Sequence, residues 1–384
     1  MSNYFRYLPF AGFFFVCAVA RAILLSVLPL KALSLMGTAQ LVSVLFFAVS
    51  ACGVAVSLSV PMILRKTGLH HCFLISVFTM AVSVVLLWTG AVWSFATGLV
   101  LHVFGVTSLE VVLSLYIMQR IPRRELSEFE PLRMVSTIVA LSIGPWLGVY
   151  LQSEVADWLP YLIAICGTVV TLIYFRRLDL QAESLPERLL QVRNPLHHIS
   201  RFLLQPRLRL AWGLTLARSS WWMMFIVYTP IYAHESGLGE LVGAAIVSIG
   251  SAWTLTLPFW GWVARRYSLR WLMYMGFTVA AGMSLSVFAV SGTPSVAVVL
   301  LAVAALGATM LDGSGHVLFL RAVRPFERSE MTGVFQTYRD VANLVVPGFF
   351  AVLLKFFALP VIFVGAAGWM LVGTFFSRYI PRRM

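Results

Sequence analysis

Twelve apolar runs, each about 18 to 28 residues long, follow one another along this 384-residue chain with short polar breaks between them. As a helix, roughly 20 such residues cover a hydrocarbon core about 30 Å thick. Lipid offers no hydrogen bonds, so the backbone of each run must satisfy itself, which a helix does. The runs are Pro9–Leu30, Leu41–Leu64, Cys72–Thr89, Val92–Gln119, Leu132–Leu151, Trp158–Phe175, Leu210–Ala233, Leu241–Ala264, Trp271–Ser291, Ser295–Leu320, Met331–Phe357 and Leu359–Tyr379. Those around Gly90 and Gly292–Pro294 are parted by so little that tight helical hairpins are expected there. The expected fold class is all-α and membrane-integral.

Composition agrees. Hydrophobic residues make up 60% of the chain and charged ones only 11%, against about 25% charged in a soluble domain. The formal net charge of +13 does not call for nucleic acid, because the basic residues sit in short loops between apolar runs. Cys17, Cys52, Cys72 and Cys166 fall in or beside apolar runs with no metal-ligand spacing, so buried unpaired thiols are expected. The first run is interrupted by Arg21 and followed by no small-residue cleavage site, so it is expected to stay as a membrane helix. No phosphate-binding loop and no nucleophile elbow occurs, so no enzyme activity, no cofactor and no metal is expected.

Loop charge sets the orientation. With the N-terminus inside, 22 basic residues fall on the cytoplasmic side and only Lys31 and Lys355 outside; Arg21, Arg133, Arg218 and Arg339 lie in or at the edge of runs. Both termini are therefore expected in the cytoplasm, with the chain in the inner membrane of a bacterium. The stretch 176–209 is the one long polar connection, and it includes a Pro-Glu-Arg-Leu-Leu piece suited to the membrane surface. It divides the chain into residues 1–175 and 210–384, each with six runs.

The two parts repeat. Pro29 matches Pro230 at an offset of 201, and Pro61–Gly68 matches Gly261–Ser268 at 200. Pro122 matches Pro325, and Gly144-Pro145 matches Pro347-Gly348, both at 203. A duplicated set of six spans is the signature of a secondary transporter with its site where the repeats meet. Taken with the basic middle stretch and the basic loops after the second and eighth runs, this pattern resembles the major facilitator superfamily over the whole chain. The loop Gly261-Trp-Val-Ala-Arg-Arg-Tyr-Ser-Leu-Arg270 is similar to that superfamily's loop motif, with Arg65 and Arg265 where an aspartate is usual. Gly144-Pro145-Trp-Leu-Gly148 resembles an element of its fifth span. The resemblance implies twelve transmembrane helices in two pseudo-symmetric six-helix bundles, with spans 1, 4, 7 and 10 lining a central cavity.

Each of those four spans carries one strong charge: Arg21, Glu110, Arg218 and Asp312. At about 1.5 Å per residue they lie roughly 12–18 Å from the cytoplasmic end. Charges at such depth are costly, and alternating sign at similar depth predicts the pairs Arg21–Glu110 and Arg218–Asp312. Two readings stand: the pairs lock the helices, or they handle substrate, with Glu110 and Asp312 coupling transport to protons. His316, one turn beyond Asp312, either relays that proton or packs between helices. Arginines in spans 1 and 7 also resemble those of organophosphate and phosphate antiporters, so the substrate is an anion, a zwitterion or an amphiphile.

Trp221, Trp222 and Tyr116 lie near these charges and either line the cavity or pack. Glu130 and Arg133, with Arg339 and Asp340, stand where spans 5 and 11 begin and form either an inner gate or local surface bridges. The expected protein is a monomeric secondary active transporter that moves a small organic solute by alternating access, with protons as partner. It contacts membrane lipids and no nucleic acid. The rivals are a lipid or amphiphile flippase on the same fold and a non-transporting membrane assembly factor.

Overall fold

The computed structural model describes residues 3–121, 125–177, 199–313, 317–324 and 327–381. Its secondary structure is helical, and no strand occurs among the described residues. Among the described residues eight helices are long and apolar enough to cross a membrane, fewer than the twelve runs. The physical reason for the difference is local. The helix Ala39–Trp88 has 50 residues and holds the second and third runs; at about 1.5 Å per residue it is far longer than one crossing. Gly68 breaks it with φ 78°, ψ 170°, a left-handed conformation open to glycine at little cost. The seventh and eleventh runs lie on helices outside the eight, Pro206–Glu235 and Tyr338–Phe356, and the twelfth forms the shorter apolar helix Val361–Ser377.

The chain forms two compact units. One holds Met1–Met36 and Ala48–Val192, the other Gly37–Phe47 and Arg193–Met384.

In the first unit the Arg21 segment is the centre of packing. The helix Asn3–Ala22 stops there, residues 23–26 turn, and a helix resumes over Val27–Met36. Pro29 lacks the N–H that the Leu25 carbonyl needs. The turn tightens instead, with Leu24 N–H donating to the Arg21 carbonyl at 3.2 Å and Leu25 N–H to that of Ala22 at 3.1 Å. Glycines from two neighbouring helices close on the break. A Cβ added at Gly167 would lie 2.9 Å from the Ala20 Cβ, one at Gly144 2.7 Å from the Ala22 carbonyl carbon, and one at Gly148 would fall on the Ile23 carbonyl oxygen. Small residues let helix backbones approach closely in lipid. Below this point a core of Phe13, Cys17, Leu64, Phe73 and Phe175 fills the unit, with Phe73 stacked on Phe175 at 3.7 Å.

The second unit uses the same device. A Cβ at Gly276 would lie 2.9 Å from the Gly307 carbonyl oxygen, and one at Gly307 2.8 Å from the Ala280 nitrogen. The helices Leu269–Ala289 and Pro294–Asp312 therefore cross almost backbone to backbone. The Pro206–Glu235 helix presents fully buried Trp221, Phe225 and Tyr228. Tyr228 Oη hydrogen-bonds Ser43 Oγ at 2.7 Å, which fixes Gly37–Phe47 in this unit.

At the foot of the second unit Glu327, 2% exposed, accepts hydrogen bonds from Arg201 and from Gln205 at 3.1 Å. A buried carboxylate without its cation is costly. Arg201→Ala is expected to destabilise the protein by about 1–3 kcal/mol, seen as a lower thermal midpoint, with Arg201→Lys recovering part of the loss.

Of the four thiols, Cys17 and Cys72 are buried, whereas Cys52 and Cys166 are exposed, which corrects the expectation that all four are enclosed. The runs are wide enough that each helix keeps an outward apolar face, and those two cysteines lie on it.

Candidate functional site

In each unit an arginine on one long helix pairs with a carboxylate on another. In the first, Arg21 Nη1 donates to Glu110 Oε1. Arg21 stands in the last turn of its helix, where the helix dipole favours positive charge. The glycine contacts at residues 20, 22 and 23 fix the backbone on either side of it. The Glu110 side chain is half exposed. His102, two turns earlier on the same helix face, lies 3.4 Å from Ser83 Oγ and close enough to Arg21 for the two to interact electrostatically.

In the second unit Arg218 Nη1 meets Asp312 Oδ1 at 2.9 Å. Trp222, one turn after Arg218, donates its indole N–H to Asp312 Oδ2 at 2.9 Å. Both carboxylate oxygens are thus occupied, and the side chain keeps only 22% of its exposure. Asp312 is the last residue of its helix, a place that disfavours an anion. The guanidinium and the indole offset that cost. Tyr338 is near two cations: the Arg218 guanidinium stands over its ring at 6.0 Å and that of Arg339 at 5.9 Å, while Arg339 Nε donates to Tyr338 Oη at 3.2 Å. Cation–π contact is most favourable where water is excluded. Arg218 Nε is buried and has no hydrogen-bond partner among the described residues.

The remaining predicted residues divide. Tyr116 is 4% exposed and packs edge-on against Phe175 at 5.1 Å in the first core. Trp221 is fully buried, stacks on Phe225 at 5.0 Å and donates to Ser284 at 3.0 Å. Both side chains are enclosed in packing instead of standing at an open surface. Arg133 grips Glu130 with Nε, at 2.9 Å, and Nη2, three residues apart on one helix, and its guanidinium stands over Phe14 at 5.4 Å. That contact ties the start of the fifth run to the first. Asp340 follows Arg339 in the Tyr338–Phe356 helix, which begins at a break at Thr337 where Trp212 donates to the threonine hydroxyl at 3.3 Å. His316 lies outside the described residues.

Sequence reasoning missed the carboxylate role of Trp222, the place of Tyr338 and the burial of Glu327. The spacing Arg218-x-x-x-Trp222 carried a signal, since residues four apart share a helix face. For Glu327 the sequence carried none, because Arg201 and Gln205 are more than a hundred residues away; for Tyr338 it offered only the neighbouring Arg339 and no hint of the distant Arg218.

Solved structures share this architecture. The nucleoside transporter NupG superposes with a TM-score of 0.75 at 13% identity, covering 97% of this chain and 98% of that one. A D-xylose-proton symporter does so with 0.73 at 13% identity over 99% and 98%, and a POT family transporter bound to 5-aminolevulinic acid with 0.72 at 12% identity over 95% and 94%. No curated protein sequence matches the chain. The profile of the Major Facilitator Superfamily matches residues 10–347, the greater part of the chain. The chain belongs to the Major Facilitator Superfamily and is a multi-pass membrane transporter.

Proposed function

We propose that this protein is a proton-coupled secondary active transporter of a small organic solute with an anionic or zwitterionic group. The observation that carries the reading is the group around Asp312: a carboxylate within a span, held by Arg218 and Trp222, with a second arginine on the Tyr338 ring that Arg218 also meets. A carboxylate that alternates between a cation and a proton links the two, because neutralising it frees the guanidinium. A freed Arg218 presents a planar fork that suits carboxylate or phosphate. Glu110 with Arg21 has the same chemistry with more exposure and serves as the second such pair. Trp222 supplies an apolar wall beside the charge. Tyr116 and Trp221 have no direct part in binding.

The Major Facilitator relationship and the sequence repeat support twelve spans in two bundles, 1–175 and 210–384, that expose the site alternately to either side. The loop charge supports a bacterial inner membrane with both termini in the cytoplasm. The similar structures include transporters of a nucleoside and a sugar with a proton, so neutral polar groups on the solute are compatible with this fold.

The test is a thermal-shift screen of purified protein against nucleosides, sugars, dipeptides, amino acids, sugar phosphates and organic acids. Hits are then assayed for uptake in proteoliposomes with an imposed pH gradient. Accumulation that follows the gradient and requires a charged group on the solute supports the reading. Uptake indifferent to the gradient removes proton coupling.

A further inference from the structure

A cavity of about 700 Å³ lies in the second unit, walled by the Pro206–Glu235 helix on one side and by Val345, Trp369, Val372 and Phe376 on the other. It is separate from the charge pair. Gly213, Ala217 and Ser220 face it at helical spacing, while Arg218 and Trp222 stand on the opposite face of the same helix. At one end are Arg207, Arg209 and Tyr379, all exposed. The two arginines occupy the first turn of a helix of 30 residues, where the helix dipole adds to the positive field. From Arg207 to Ser220 the wall is about 20 Å long at 1.5 Å per residue. That is close to one leaflet, half of a hydrocarbon core about 30 Å thick together with its headgroup layer.

We infer that this cavity is a binding site for an anionic phospholipid, with the acyl chains along Gly213 and Ala217 and the phosphate on Arg207 and Arg209. The volume fits a ligand body, within the roughly 300–1,000 Å³ usual for small-molecule sites. The charge at one end and the apolar length behind it select an amphiphile over a free anion. Gly213 is the point of entry for a test, because a Cβ there meets nothing within 4 Å. A side chain at that position fills the cavity without moving the backbone, and it relieves a mid-helix glycine.

The experiment uses the full chain in neutral detergent, titrated with phosphatidylglycerol, phosphatidylcholine or free glycerol phosphate. It is read by native mass spectrometry for retained lipid and by the thermal midpoint. Phosphatidylglycerol is expected to stay bound and raise the midpoint. The double variant Arg207→Gln, Arg209→Gln should weaken that binding by about tenfold or more. Gly213→Leu should abolish it while leaving the lipid-free midpoint no lower than that of the parent. Equal effects of phosphatidylcholine and phosphatidylglycerol overturn the proposal, as does undiminished phosphatidylglycerol binding by either variant. Binding of glycerol phosphate as strong as that of the lipid also overturns it. Should Gly213→Leu fail to fold, the arginine variant decides alone. None of these readouts involves transport, so the outcome is independent of the transport reading.

Discussion

Asp312→Asn is expected to end accumulation driven by a pH gradient while solute counterflow between equal concentrations persists. Asparagine keeps the side-chain shape and one oxygen for the Trp222 indole, so the local packing stays. What it removes is the charge that holds Arg218 at 2.9 Å and, with it, the proposed proton site. Breaking a buried ion pair on one side costs about 3–5 kcal/mol, so the variant should also be less thermostable. That loss should shrink when Arg218 is replaced by a neutral residue in the same chain, since both charges are then gone. The measurement is initial uptake and final accumulation in proteoliposomes with the pH gradient imposed and then collapsed. Accumulation by Asp312→Asn that still tracks the gradient would take Asp312 out of the coupling step. Glu110→Gln, tested alongside, then shows whether the first unit carries it instead.

Gly148→Ala is the second large effect, and it acts on the fold. A methyl group at Gly148 lands on the Ile23 carbonyl oxygen, which is backbone and cannot swing aside. Overpacking of this kind costs about 1–3 kcal/mol and occasionally more. Here it also pushes on the turn that follows Arg21, so the yield of folded protein should fall steeply and the Arg21–Glu110 pair should be displaced. The control is Gly282→Ala in the Leu269–Ala289 helix, where an added Cβ meets nothing within 4 Å. That change should be neutral or stabilising by up to about 1 kcal/mol. Fluorescence-detected gel filtration after heating distinguishes the two. Equal thermal behaviour of both variants would mean that the first and fifth runs do not need the close approach.

Much of this could be read from the chain itself. Apolar length and the basic loops identified a helical membrane protein, because lipid allows few alternatives. Depth and alternating sign identified Arg21 with Glu110 and Arg218 with Asp312, because a lone ion in a span is too costly to leave unpaired. Two kinds of feature stayed hidden. Interruptions inside an apolar run, at residues 23–26 and at Thr337, leave composition unchanged and follow from proline and from long-range contacts. The orientation of an aromatic side chain was also invisible: Trp221 and Trp222 are adjacent in sequence, yet one is sealed into the core and the other holds a carboxylate. Glycine has a similar ambiguity. Gly148 and Gly213 look alike in a hydrophobic string, but one is wedged against a carbonyl and the other opens on empty space.

Arg21 and Asp312 both stand at the carbonyl end of a helix, and they carry opposite charge. The two pairs therefore place opposite charges at the same kind of helix end. If Glu110 is drawn away, Arg21 still stands at a helix end whose dipole favours a cation. If Arg218 is drawn away, Asp312 keeps the Trp222 indole N–H but loses its cation at a helix end that disfavours an anion. The helix dipole therefore favours a freed Arg21 and disfavours a freed Asp312, so the second pair loses more when its partners separate.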